Sequence, residues 1–251
     1  MLFNYHTHTK RCGHAGGEDR EYIENAIAGG LQTLGFSDHA PYPFPNGHVS
    51  YHRMSTDALF EYAESIRALA KEYEKDIRIL CGFELEYYPD YHEEEMQFLR
   101  QVAPDYLILG QHFIHSEWNS PHVINKSDEQ LLRTYVTQVI AGLATGDFLY
   151  LAHPDMVGWS VPKDVAVREY ERLCQFAKKK DIPLEINCLG MAEKRCYPTR
   201  DFFEIASQIG NRVIIGIDAH HPSTLADKEQ TSEALAFAQD LGLQLIEKPL
   251  L

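Results

Sequence analysis

The chain reads as an α/β protein whose parallel strands close, or nearly close, into a barrel. Short apolar or β-branched runs alternate with amphipathic segments, the pattern of successive βα units. At roughly 30 residues per unit, the 251 residues hold about seven or eight of them. Nearly every apolar run also ends in a His, Asp or Glu. In a parallel barrel those ends meet on one rim, where such folds place their chemistry. A single domain over residues 1–251 is expected, since α/β barrels of this size are routinely undivided.

The predicted strands are Leu2–His6, Thr33–Ser37, Ile77–Glu84, Tyr106–His112, Phe148–Ala152, Leu184–Asn187, Val213–Ile217 and Leu243–Ile246. Between them, Asp57–Tyr73 spaces Leu59, Tyr62, Ala63, Ile66, Leu69, Ala70 and Tyr73 so that one helical face is apolar. Further helices are predicted at Asp19–Ala28, Tyr91–Gln101, Asp128–Ala144, Asp164–Lys179, Arg200–Ile209 and Ser223–Leu241. Ser55, Ser127 and Thr199 are N-cap candidates. Gly146, Gly210 and Gly242 stand where helix ends need a left-handed residue. The Pro-rich stretch Pro41–Ser50 reads as a lid or rim loop.

A formal charge of −14 argues against a general nucleic-acid or anionic-membrane binder. The run Lys178-Lys179-Lys180 sits at a predicted helix end, where cations complement the dipole. Five cysteines without a Cys-x-x-Cys pair suggest a reducing compartment and buried or idle thiols rather than a disulfide framework. No basic segment leads into an apolar run near the N-terminus, and no stretch approaches 18 apolar residues. A cytoplasmic protein without a membrane span is therefore expected.

The strand ends carry the functional signal. His6 and His8 are spaced i, i+2, so on a strand both imidazoles face one way and form half of a four-ligand metal site. His14 follows in a Gly-rich turn. Later strand ends offer Asp38 and His39, Glu84 and Glu86, His112, His153 and Asp155, Glu185 and Asn187, and Asp218 and His220. A lone strand histidine is more often a hydrogen-bonded structural residue; it is the series that points to a multi-metal site. Mixed nitrogen and oxygen donors without thiolate suit Zn, Fe or Mn better than Ca or Mg. Seven histidines and two carboxylates exceed one tetrahedral ion, so two or three divalent ions would use them.

The ordered series His6-x-His8, His14, Ser37-Asp38-His39, Gly82-x-Glu84, His112, His153 and Asp218-x-His220 resembles the PHP (polymerase and histidinol phosphatase) superfamily. That resemblance implies a distorted (β/α)7 barrel and a trinuclear site. It assigns one ion to His6, His8, Glu84 and Asp218, and a second to Glu84, His112 and His153. The third falls to His14, His39 and His220. Glu86 competes with Glu84 as the bridging carboxylate, and Glu84 has the Gly-x-Glu position. Ser37-Asp38-His39-Ala40-Pro41-Tyr42-Pro43, Arg53-Met54 and the segment from Glu185 to Pro198 resemble the histidinol-phosphate phosphatase branch.

The expected reaction is hydrolysis of a small phosphate monoester, L-histidinol phosphate above all, by a metal-activated water. Asp218, His220 and Glu84 are the candidate catalytic residues. Arg53 and Arg195 are the candidate phosphate clamp, since a guanidinium matches phosphate oxygens bidentately. Lys194 beside Arg195 is a second cation of open orientation. His48, His52, His115, His122 and His221 are left without a ligand position. The alternatives are another phosphoesterase, an amide hydrolase, or a non-catalytic metal-binding module.

Overall fold

In the computed structural model, Phe3–Asn4 (β1), Thr33–Phe36 (β2), Arg78–Leu85 (β3) and Tyr106–Leu109 (β4) pair side by side in that order. Leu184–Asn187 (β5), Arg212–Gly216 (β6) and Gln244–Leu245 (β7) form a second sheet. Every pairing is parallel. The residues described are 1–44, 47–120, 122–124, 126, 128–158 and 161–251.

Two seams join the sheets into a distorted barrel. At one, the extended segment 149–152 bonds both neighbours: Leu109 N–H donates to Tyr150 O (3.1 Å) and Ala152 N–H to Leu109 O (2.8 Å). On its other side Leu151 N–H donates to Pro183 O and Glu185 N–H to Leu151 O. The strand expected at Phe148–Ala152 is thus reduced to isolated bridges at Leu151. His153 follows at φ 28°, which turns the chain out of line. At the other seam His8 N–H donates to Ala219 O (2.9 Å) and Ala219 N–H to His6 O (3.2 Å). Strand one is shorter than expected because Asn4 interrupts it. Its side chain accepts from Ile217 N–H and donates to His6 O and Thr7 Oγ1.

Eight helices lie among the described residues: Asp19–Gly29 (α1), Leu59–Glu72 (α2), His92–Leu99 (α3), Glu129–Thr145 (α4), Lys163–Lys180 (α5), Cys188–Ala192 (α6), Arg200–Ile209 (α7) and Lys228–Asp240 (α8). Thr199 caps α7 by accepting from Phe202 N–H, and Gly146 and Gly210 end α4 and α7 at positive φ. Ser55 makes no side-chain cap bond. Ser127 lies outside the described residues; Asp128 caps α4 through Leu131 N–H. The helix expected over Ser223–Leu241 is broken after a 3-10 turn at Pro222–Leu225, because Asp227 caps a new start at α8. No helix among the described residues is long and apolar enough to cross a membrane.

Two apolar clusters position the site. The larger fills the space between helices and sheet. The smaller comprises Phe3, Tyr5, Leu80, Tyr106, Ile108, Tyr150, Ala152 and Ile214. Side chains on a strand alternate with period two. On β3 the face carrying Leu80 continues to Gly82 and Glu84; on β4 the face carrying Tyr106 continues to Ile108 and Gly110. An apolar floor therefore gives way to glycines and then to metal-capable side chains. The Pro41–Ser50 loop departs from the expected lid. Tyr42 and Phe44 are buried and stacked (5.2 Å), and none of the loop's described residues lines the cavity at the strand ends, where His8, Glu84 and Asp218 stand. Their apolar rings are better buried in the core than left over a polar opening.

Candidate metal centre

Glu84 stands at the centre of the site. Its Oε2 lies 3.4 Å from His6 Nε2, 3.4 Å from His8 Nε2 and 3.1 Å from His39 Nδ1. Its Oε1 lies 2.9 Å from His153 Nε2 and 3.5 Å from His112 Nε2. The two oxygens divide five imidazoles into two groups, the geometry of a carboxylate that bridges two ions. Asp218 Oδ1 closes the first group at 3.1 Å from His8 Nε2 and 3.4 Å from His6 Nε2.

The chemistry of these atoms fits divalent metal. His6 Nε2, His8 Nε2, Glu84 Oε2 and Asp218 Oδ1 are all buried without a hydrogen-bond partner. Buried polar atoms are otherwise almost always paired, and each orphan costs about 1–3 kcal/mol. Four orphans that converge are what coordination would satisfy. The donors are nitrogen and carboxylate oxygen, as divalent first-row metals prefer.

Carboxylates behind the ligands hold them in orientation. His6 Nδ1 is 2.7 Å from Glu185 Oε1, and His112 Nδ1 is 2.9 Å from Glu86 Oε1. His8 Nδ1 faces Asp38 Oδ1 at 3.4 Å. Such partners fix the tautomer and raise ligand basicity. Asn187 donates to Asp218 Oδ2 (3.1 Å) and to Glu185 Oε2 (2.9 Å). Glu86 is therefore occupied by His112 on one side and by Arg53 on the other (3.0 Å), while Glu84 faces the imidazoles.

The glycines of the rim follow from this packing. A Cβ on Gly110 would stand 1.8 Å from Glu84 Oε1, and one on Gly216 would stand 1.8 Å from Glu185 Oε1. Gly110→Ala is expected to displace the Glu84 carboxylate and lower metal affinity and turnover by roughly 10–100-fold. Metal analysis beside circular dichroism checks this; full metal and rate in the variant would show that the carboxylate has room. Asp218 and His153 also hold positive φ (56° and 28°), strain of a kind that clusters at functional sites.

The electrostatics are coupled. Burial opposes charge on His6 and His8, yet the acidic groups around them outweigh it. Asp218, Glu185 and Glu84 raise His6 well above its ordinary value. Asp218 and Asp38 do the same for His8. Burial also works against ionised Glu84 and Asp218, but the neighbouring imidazoles hold both well below the usual carboxylate range. Burial first, then the charge of His8, lowers His39 and brings His220 to about 4. Both shifts favour the protonated imidazole in the metal-free chain, so an entering cation competes with protons for His6 and His8. Metal affinity is expected to fall as pH drops, by up to about tenfold per pH unit for each proton displaced. Titration calorimetry in buffers of different ionisation enthalpy measures that release, and a pH-independent affinity would contradict it.

Of the nine expected ligands, His6, His8, His39, Glu84, His112, His153 and Asp218 are buried. Their ligand atoms form convergent groups, which include His220 beside His8 and His39. His14 stands further out. Its ring lies 5.3 Å from His39 and 5.0 Å from His220, but its Nδ1 meets the Cys12 carbonyl (3.1 Å), and no convergent group among the described residues includes it. His39 in turn groups with Glu84 and His112 as well as with His8 and His220.

A cavity of about 560 Å³ opens over this cluster, with Phe113, Ile124, Met156 and Leu189 as its apolar wall. Arg195 and Tyr197 line it, as do His52 and His122. Arg53 does not reach it. Its guanidinium is held by Glu86, by Glu117 Oε2 (2.7 Å) and by Ala40 O (3.0 Å), all behind the wall. The expected phosphate contact at Arg53 gives way to a supporting position, because two buried carboxylates already claim the cation. Sequence reasoning missed Glu117, which falls in no motif. Cys12 is a buried free thiol, as expected, and it lies with His8 and Asp38. The even spacing of Glu185 and Asn187 was the available signal for their shared face.

Known proteins resemble this chain in sequence and in fold. A model of the PHP domain family matches residues 4–189. The "Probable histidinol-phosphatase" of Deinococcus radiodurans is 26% identical over 96% of this chain and 94% of its own length. The histidinol-phosphatase of Bacillus subtilis is 31% identical over 45% of this chain and 44% of its own length. In fold, the chain is similar to the histidinol phosphate phosphatase of Lactococcus lactis, solved with Zn, L-histidinol and phosphate. The TM-score is 0.76 at 20% identity, covering 98% of this chain and 95% of that one.

Proposed function

This chain belongs to the PHP domain family, and on that premise we propose that it is a metal-dependent phosphoric monoester hydrolase acting on L-histidinol phosphate, with histidinol and phosphate as products. The observation that carries the reading is the convergence of unpartnered, buried His6, His8, Glu84 and Asp218 atoms beneath the cavity. The names of full-length relatives supply the substrate class. Two or three ions of Zn, Fe or Mn are part of the proposal. The zinc, histidinol and phosphate of the Lactococcus protein support that choice.

When bound, the ions supply Lewis acidity and a water acidified toward neutral pH. The chain does the rest. Glu84 lies between the two groups of imidazoles, and His6 and His112 are kept in orientation by Glu185 and Glu86. Arg195 donates to the Tyr197 hydroxyl (2.8 Å), and both line the cavity, where they offer donors to phosphate oxygens. Asp218 or His220 relays to the leaving oxygen the proton that the attacking water gives up in this reading.

The test is metal analysis of the purified protein combined with a panel of phosphate monoesters, phosphodiesters and amides that includes L-histidinol phosphate. Preferential hydrolysis of that ester is expected. Turnover confined to diesters or amides would reassign the substrate, and bound metal with no turnover at all would favour a non-catalytic module.

A further inference from the structure

The cavity wall carries one charge that the metal chemistry does not use. Of the carboxylates lining it, Glu84 and Asp218 face imidazoles, and Glu86 is shared by His112 and Arg53. Glu193 stands apart from all of them and touches no ligand histidine among its described contacts. Its partner is Arg195, whose Nε and Nη2 reach Glu193 Oε2 at 2.8 and 2.6 Å. The same guanidinium donates through Nη1 to the Tyr197 hydroxyl, and the Tyr197 ring lies 5.5 Å from His153. Running outward from the metal cluster, the order is therefore His153, Tyr197, Arg195 and Glu193.

The backbone holds this order in place. Glu193 N–H bonds Leu189 O (3.0 Å) and Arg195 N–H bonds Gly190 O (2.9 Å), so a tight turn follows α6. Lys194 takes the left-handed conformation (φ 52°) between them and is absent from the cavity wall. Gly190 packs so closely on Tyr197 that a Cβ would stand 2.4 Å from the Tyr197 carbonyl oxygen. A partly buried cation nearer the cluster and a half-exposed anion beyond it form a pair of defined polarity. Its complement is a substrate with a phosphate toward the ions and a positive group on the far side of Arg195. Such a ligand engages Arg195 through its phosphate and gives Glu193 a replacement cation.

We propose that Glu193 reads a protonated amine on the substrate, so that this site selects phosphate monoesters of amino alcohols over those of uncharged alcohols. The inference rests on the phosphatase reading above and adds to it a residue that decides specificity. It places Arg195 on the phosphate and Glu193 on the amine. Losing either partner of that alternation leaves the other charge mispaired.

The experiment compares metal-loaded wild type with Glu193→Gln on L-histidinol phosphate and on its deaminated analogue, 3-(imidazol-4-yl)propyl phosphate. The quantity read is the ratio of kcat/KM for the amine ester to that for the analogue. It is expected to fall about tenfold in Glu193→Gln, through KM for the amine ester, and to recover in part in Glu193→Asp. Metal content and circular dichroism confirm that the variants fold. A ratio unchanged in folded, metal-loaded Glu193→Gln overturns the inference and leaves the phosphatase reading standing. Metal-loaded wild type that hydrolyses neither ester overturns that reading, and the inference with it.

Discussion

Glu84→Gln is expected to lose bound metal and about a thousandfold or more in phosphatase turnover, with the fold retained. Glutamine preserves the shape of the side chain but removes the charge and one of the two acceptor oxygens. Both oxygens face imidazoles in the native chain, Oε2 those of His6, His8 and His39, and Oε1 those of His112 and His153. An amide nitrogen in either position points a donor at imidazole nitrogens that must serve as lone-pair donors. Several kcal/mol of transition-state stabilisation from the metals would be lost, and each 1.36 kcal/mol is a factor of ten in rate. The measurement is bound metal per chain beside the rate on a monoester; His8→Ala and Asp218→Ala serve as companions. Undiminished activity in a metal-depleted variant would falsify the mechanism.

Arg53→Ala should act on stability first. The guanidinium is buried, and so are Glu86 and Glu117, to which it is bonded at 3.0 and 2.7 Å. Burial opposes its charge, but Glu86 in particular outweighs that and holds Arg53 firmly protonated. Truncation would take the arginine from two carboxylates and leave each with a histidine, His112 at Glu86 and His48 at Glu117. Breaking a buried ion pair in this way costs about 3–5 kcal/mol. For a chain of this size that lowers Tm by roughly 6–12 °C or more. Adding Glu117→Gln to Arg53→Ala removes one of those charges and should recover part of the loss, a non-additivity read from a double-mutant cycle. A residue that clamps phosphate would behave differently. Its loss would raise KM and leave Tm in place, and that result would return Arg53 to the binding site.

The strand ends explain why so much of the site was legible. Parallel strands bring their C-terminal ends to one rim, so residues far apart in the chain share a location once alternation with helices is recognised. His6, His8, Glu84, His112, His153 and Asp218 are brought together there. The elements that departed from expectation did so for local reasons. Asn4 breaks the first strand with its side-chain bonds, and Asp227 restarts a helix whose apolar period runs straight through it. Tyr42 and Phe44 sit in a Pro-rich segment that looks like an open loop, and their burial depends on neighbours distant in sequence.

The amino-acid sequence by itself determined the α/β class, the parallel order and the set of metal-capable residues, because hydrophobic period and strand-end chemistry are local properties. Only the tertiary structure decided which of those residues converge on one another and which stand behind them. Glu84 and Glu86 share a strand face, two residues apart, and no local pattern separates them. Their division of labour comes from what lies opposite: five imidazoles around Glu84, and His112 with Arg53 at Glu86. The same holds for Arg53 and Arg195. Two buried carboxylates draw one arginine behind the wall, and a tight turn after α6 keeps the other on it. Charge pairing acts through space, over distances of a few ångströms, between segments that the chain order keeps far apart.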